Sequence, residues 1–374
     1  MPAKGNITAA NTEKTMKTQT LLLIFVLLAM QFATVCYAQD SKKKLKIFIL
    51  AGQSNMEGKG SVEVMQHQLK VPEKKDRFAR YQKNGAWIER DDVFIHYLGG
   101  QGKRTGKLTV GYGVSKPDSR RLIGPELGFG WTVGDHFDED VLIIKTAWGG
   151  KSIDRDFRPP SRGFPDSMKP EFEKRKERNG NLNFEDYKSS YGDFYRQMIQ
   201  EVKTVTKDLQ HYAPRYHDQG FEIAGFVWFQ GWNDQYAPTS IPDYKDNLSA
   251  LIKDVRKELG TPALPFVIGA MGHNGDAQDG KIKQIADAQM AAAELPEFKG
   301  NVLAIRTAKY WDTEAEAAYE KYWAKKEERD LEKWRQFGND KVYHYFGSPV
   351  FFNLVGNAFG ESMLQLLKTE KSKK

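Results

Sequence analysis

Five apolar stretches recur along the chain, at Lys46–Leu50, Val141–Lys145, Glu222–Phe229, Pro265–Ala270 and Asn301–Arg306, and a helical pattern or a long insertion separates each from the next. Short runs of this kind, rich in Val, Ile and Phe and closed by Gly or polar residues, are the pattern of strands covered on both faces. Strands that alternate with helices join in parallel through right-handed crossovers, which place helices on both sides of the sheet. The expectation is an α/β protein, a three-layer αβα sandwich around a five-stranded parallel sheet. Helices are expected at Glu126–Phe137, Tyr191–Leu209, Pro242–Leu259, Lys281–Leu295, Glu314–Phe337 and Val350–Leu367. Two Gly-, Lys- and Pro-rich segments, 57–121 and 151–188, show little periodicity and are expected to be loops that roof a cleft.

Parallel sheets bind ligands outside the carboxyl ends of their strands, so the residues following each stretch carry the functional signal. The first ends in Gly52-Gln53-Ser54-Asn55-Met56, which puts a serine where a nucleophile would sit. A serine hydroxyl needs a base, a group to orient that base, and donors for the developing oxyanion. Trp148-Gly149-Gly150 follows the second stretch and lets backbone N–H groups approach a ligand. Gln230-Gly231-Trp232-Asn233-Asp234 follows the third and offers two side-chain amides. Gln53, Gln230 and Trp232 are the candidate substrate contacts, Trp232 and Tyr236 for their aromatic faces. His344 is the favoured base, with Asp340 nearby, and His273 after the fourth stretch competes with it. Arg158 is read as half of a surface ion pair and is left out of the site. Other motifs fail on single positions. Gly150-Lys151-Ser152 lacks the upstream glycine of a phosphate loop, since position 145 is Lys, and Met56 replaces the second glycine of a Gly-x-Ser-x-Gly elbow. The scattered histidines give no zinc spacing, so neither metal nor cofactor is implied.

The order of these blocks, Gly-x-Ser-Asn, a Gly block, Gly-x-Asn-Asp and a late Asp/His block, resembles the SGNH hydrolases and implies their flavodoxin-like sheet. Gly-Gln-Ser-Asn-Met with Trp-x-Gln-Gly is similar to the sialate O-acetylesterase-like proteins and carbohydrate esterase family six, and the likeness runs from about Lys46 to Leu366. The resemblance implies that Ser54 is the nucleophile and His344 the base, with the N–H of Gly150 and the amide of Asn233 joining the Ser54 N–H in an oxyanion hole. The chain departs from the family at two places. Asp340 stands four positions before His344 instead of three, which leaves Asp312 as an alternative orienting acid, and Trp232 stands where the sugar-esterase branch more often has Glu.

The N-terminus carries Lys14 and Lys17, an apolar run from Leu21 to Met30 and a small-residue exit at Cys36-Tyr37-Ala38. That run is too short to span a bilayer and reads as a signal peptide, residues 1–38, with Met16 as an alternative start and a lipid anchor on Cys36 as the lesser alternative. Export without stable membrane insertion is the expectation. Cleavage removes the only cysteine, so stability must come from a core, which 39–374 is long enough to bury as one domain. It also lowers the net charge from +7 to +5, an excess partly placed in the Lys-rich ends, so no nucleic-acid partner is expected. The reading is an exported serine esterase acting on an acetylated carbohydrate. Its rival is a secreted carbohydrate-binding protein, inactive because its acid is misplaced.

Overall fold

A computed structural model of the chain describes residues 43–114, 121–237 and 239–371, of which Leu45 onward form a compact unit. The expected signal peptide lies outside the described residues. The sheet strands are β1 (Leu45–Gly52), β2 (Val93–Gly99), β3 (Gly102–Lys107), β4 (Val141–Ala147), β5 (Phe221–Phe229), β6 (Phe266–Ala270) and β7 (Val302–Arg306). Their order is β7-β6-β5-β1-β4-β2-β3, all parallel except β3, which runs antiparallel to β2 at the edge. Helices α1 (Pro125–Gly134), α2 (Asp193–Lys207), α3 (Ser240–Glu258), α4 (Gly280–Ala293) and α5 (Pro349–Lys371) complete the layers.

Alternation along β1 divides the core. Ile47, Ile49 and Ala51 pack with Leu142, Ile144 and Trp228 against Met198 and Val202 of α2, Leu248 and Leu251 of α3 and Ile285 of α4. Phe48 and Leu50 face the other way and meet Leu127 and Phe129 of α1 and Phe352 and Phe359 of α5. Strands with both faces covered have no solvent side, so these stretches are apolar throughout instead of alternating with polar residues.

The three-layer α/β architecture agrees with the sequence reading, but the sheet has seven strands among the described residues, not five, and is not wholly parallel. The two additional strands come from 57–121, expected to be loop. Val93-Phe94-Ile95-His96-Tyr97-Leu98 is a buried strand, and its partner Gly102–Lys107 is largely exposed and polar. Lysines on an edge strand discourage further pairing, and they also hide it from a hydrophobicity reading. The expected helix Glu314–Phe337 is likewise broken. Thr313–Tyr319 is helical, Glu320–Ala324 is a π-helical turn, and a new helix, Leu331–Trp334, starts at Asp330, whose side chain accepts from the Lys333 N–H at 3.1 Å. The chain doubles back there so that Trp334, Ala315, Ala318 and Phe346 close a small core of their own. Among the described residues no helix is long and apolar enough to cross a membrane.

Candidate active site

Ser54 begins a single helical turn directly beyond β1, in which the Gln53 carbonyl accepts from the N–H groups of Met56 and Glu57 at 2.8 and 2.9 Å. Glycine is required at position 52 by close approach, because a Cβ there would lie 2.1 Å from the Phe229 carbonyl oxygen. That contact brings the ends of β1 and β5 together, and the Trp148 N–H, donating to the Gly52 carbonyl at 3.3 Å, adds the end of β4. Ser54 is 6% exposed at the junction of the three strand ends.

The loops after β4 and β5 are tied to each other and to the Ser54 turn. Gly150 has φ +71°, and its carbonyl accepts from Asn233 Nδ2 at 2.5 Å, which leaves that amide a second N–H. Gln53 Oε1 accepts from Gln230 Nε2, Gly231 N–H and Asn233 N–H at 3.1, 3.1 and 3.3 Å. Gln230 Nε2 also donates to the Lys151 carbonyl and to Asp234, while its Oε1 accepts from the Tyr244 hydroxyl. Both glutamines are buried, and the Gln53 Oε1 and both ends of the Gln230 amide are engaged by protein groups. Trp232 is half-buried, its ring 4.4 Å from that of His273 and 6.0 Å from that of Tyr343.

Asp234 is fully buried and accepts from the N–H groups of Ile153 and Asp154 and from Gln230, so it clamps the Gly150 loop to the Asn233 loop. Burial pushes its carboxyl up to about 7, against the opposing effect of these donors.

The last block is a compact turn. Tyr345 and Phe346 adopt left-handed φ values of 51° and 61°, and the N–H groups of Asn339 and Asp340 both donate to the Phe346 carbonyl. Bulky residues rarely hold such angles, which cluster at functional sites. The turn brings His344 Nδ1 within 3.0 Å of Asp340 Oδ2. Burial works to raise the Asp340 carboxyl, but the hydrogen bond and charge of His344 outweigh it and hold the group below its ordinary value. Asp312 is engaged elsewhere, capping the helix at Ala315 N–H and accepting from the Ser348 hydroxyl. His273 is buried and donates from Nε2 to the Tyr343 carbonyl at 3.1 Å, and burial lowers it to about 3. The carboxylate at His344 is thus Asp340, and Asp312 is bonded to Ala315 and Ser348.

The His344 turn packs on the segment that follows the serine turn: a Cβ on Gly347 would lie 3.0 Å from the Lys59 carbonyl oxygen. Among the described residues Ser54 Oγ and His344 are not hydrogen-bonded to each other, and such bonds commonly tighten only in the substrate complex.

Arg158 differs from expectation. It is 5% exposed and pairs with Asp154 at 3.0 Å inside the protein, so it is a buried structural ion pair instead of a surface one. The sequence reading also passed over Asp234, Glu57 and the pair Lys145–Glu126, buried beneath the Ser54 turn with 2.6 Å between Nζ and Oε2. Position 145 had already signalled itself as a lysine inside an apolar strand, where an unpaired ammonium would be very costly.

A mostly parallel sheet with a serine turn at its carboxyl edge and an Asp–His pair on a neighbouring loop defines the class as an α/β ester hydrolase. Residues 44–315 match the model of the carbohydrate esterase family described as sialic acid-specific acetylesterase, and the chain belongs to that family. Its members are carboxylic ester hydrolases acting on carbohydrate. A protein described as a probable carbohydrate esterase of Arabidopsis thaliana is 24% identical over 257 residues, which are 66% of this chain and 74% of that protein. The crystal structure of NanS superposes with a TM-score of 0.50 at 11% identity, covering 87% of this chain and 98% of NanS, a likeness of fold. A carbohydrate acetylesterase from Xanthomonas citri gives a TM-score of 0.46 at 14% identity, covering 84% of this chain and 55% of that one.

Proposed function

We propose that the protein is an exported O-acetylesterase that removes acetyl groups from a glycan through an acyl-enzyme on Ser54. His344 Nε2 takes the Ser54 proton as Oγ attacks the acetyl carbonyl, and Asp340 holds the imidazole by its Nδ1–H and balances the charge it gains. The oxyanion is met by the N–H groups of Ser54 and Gly150 and by the free N–H of the Asn233 amide. His344 then protonates the departing sugar oxygen and activates the water that releases acetate. Trp232 offers a face to the sugar, the Gln53 amide N–H groups are available to substrate while its oxygen holds the Asn233 loop, and Gln230 acts through the loops it joins.

The observation that carries this reading is the 3.0 Å contact between Asp340 and His344. The inactive, carbohydrate-binding rival rests on a misplaced acid, and the contact supports the enzyme reading over it. The bond from Asn233 to the Gly150 carbonyl supports the oxyanion assignment, because it fixes two donors relative to each other. Export rests on the sequence of residues 1–38, and the single esterase domain is taken to begin at residue 39. Acetate release should be measured from acetylated sialosides, xylans and other glycans. Release by the purified protein, lost in Ser54→Ala with an unchanged melting temperature, is the expected result; undiminished release in the variant would sink the assignment.

A further inference from the structure

Glu57 stands three residues after Ser54 in the same helical turn, so the two side chains share a face. Its residue is 4% exposed. Oε2 lies 3.2 Å from the point a Gly149 Cβ would occupy, and Ser54 Cβ lies 3.8 Å from that same point. Oε1 is 4.0 Å from the corresponding point on Gly100. Gly149 and Gly100 are both exposed, so the carboxylate sits just inside an opening bounded by two residues without side chains.

Among the described residues the Glu57 side chain has few donors nearby. Lys59 Nζ is 3.7 Å away, near enough to balance the charge but too far for a hydrogen bond. The buried Tyr97 hydroxyl is a neighbour, its phenol held well above the ordinary value by burial first and by the Glu57 charge second. One hydroxyl fills at most one of about four acceptor positions on a carboxylate. Beside a nucleophile, that arrangement suits a group completed by substrate. An acetyl ester has only acceptors to offer, whereas a free sugar hydroxyl is a donor.

We infer that Glu57 accepts a hydrogen bond from the free hydroxyl next to the acetylated position, so that the enzyme selects sugars bearing an isolated acetyl group. The inference rests on the esterase reading above. It makes Glu57 a specificity residue, and Gly149 the opening through which the hydroxyl reaches it.

The test uses the full chain with two methyl pyranoside mono-acetates, one with the vicinal hydroxyl free and one deoxygenated there, and p-nitrophenyl acetate as a substrate without a sugar. Wild-type kcat/KM should fall by roughly tenfold or more on deoxygenation, about the worth of a hydrogen bond to a charged group. Glu57→Gln should lose a similar factor on the hydroxylated sugar, mainly in KM, and discriminate poorly between the two sugars. Its loss on the aryl ester should be roughly tenfold smaller. If Glu57→Gln does not melt as a folded protein, Glu57→Asp should show the same weakened discrimination. A wild-type enzyme indifferent to deoxygenation, or a variant that discriminates as well as wild type, overturns the inference while leaving the esterase reading intact. A wild-type protein inactive on both sugars and on the aryl ester overturns both.

Discussion

His344 is held by a turn that breaks the usual spacing. The carboxylate it meets lies four residues upstream, in a turn closed by the His344 N–H donating to the Lys341 carbonyl and by the N–H groups of Asn339 and Asp340 donating to the Phe346 carbonyl. Asp340→Asn keeps the shape but lacks the charge that favours an imidazolium. We expect kcat to fall by roughly a hundredfold or more with little change in KM or melting temperature, since orienting carboxylates act on the transition state. Steady-state kinetics on any cleaved ester decides this, and an unchanged kcat would remove Asp340 from the mechanism. Gln53 and Gln230 illustrate the opposite case: polar, beside the serine, and yet occupied in joining loops.

β4 carries one residue that a buried strand should not have. Lys145 is 0% exposed, and its three N–H groups donate to the Glu57 carbonyl, the Tyr112 carbonyl and Glu126 at 2.7, 2.9 and 2.6 Å. It thereby ties the strand to α1 and to the end of the Ser54 turn. Burial lowers the ammonium, and the Glu126 charge opposes that. Replacing Lys145 by Met would strand a buried carboxylate and two unmet carbonyls, a loss of about 3–5 kcal/mol. The double variant Lys145→Met/Glu126→Gln should recover a good part of it, because no charge is then left unpaired. Urea unfolding of the three proteins measures both steps; a double variant no better than the single one would show that the charge is not the cause.

At the scale of the whole molecule, acid should act through His273, locked between Trp232 and Tyr345 with ring centroids 4.4 and 4.1 Å away. Its folded value of about 3 lies below that of an unfolded histidine. The unfolded chain therefore takes up a proton first, so stability is full above pH ~6.5 and drains away as pH falls toward 3, by up to about 5 kcal/mol. Denaturation of His273→Phe across that range should show a shallower decline than wild type, and parallel curves would refute the account. The same scale separates what was legible in the chain from what was not. The β1 strand, its exit at Ser54, the α/β layering and the order of the blocks were readable, because each depends on periodicity or turn chemistry within a few residues. The edge hairpin was not, since the polarity of β3 is meaningful only beside β2. Nor was it legible that Asp340 meets His344 while Asp312 meets Ser348, since both carboxylates stand near the last block in the chain. By itself the sequence determined a parallel α/β core with a serine at a strand end, for apolar alternation and a glycine are local instructions. Only the tertiary structure decided that a turn brings Asp340 to His344, that the Gln53 and Gln230 side chains are buried, and that Gly149 and Gly100 flank Glu57, because these follow from how turns close and from contacts between segments far apart in the chain.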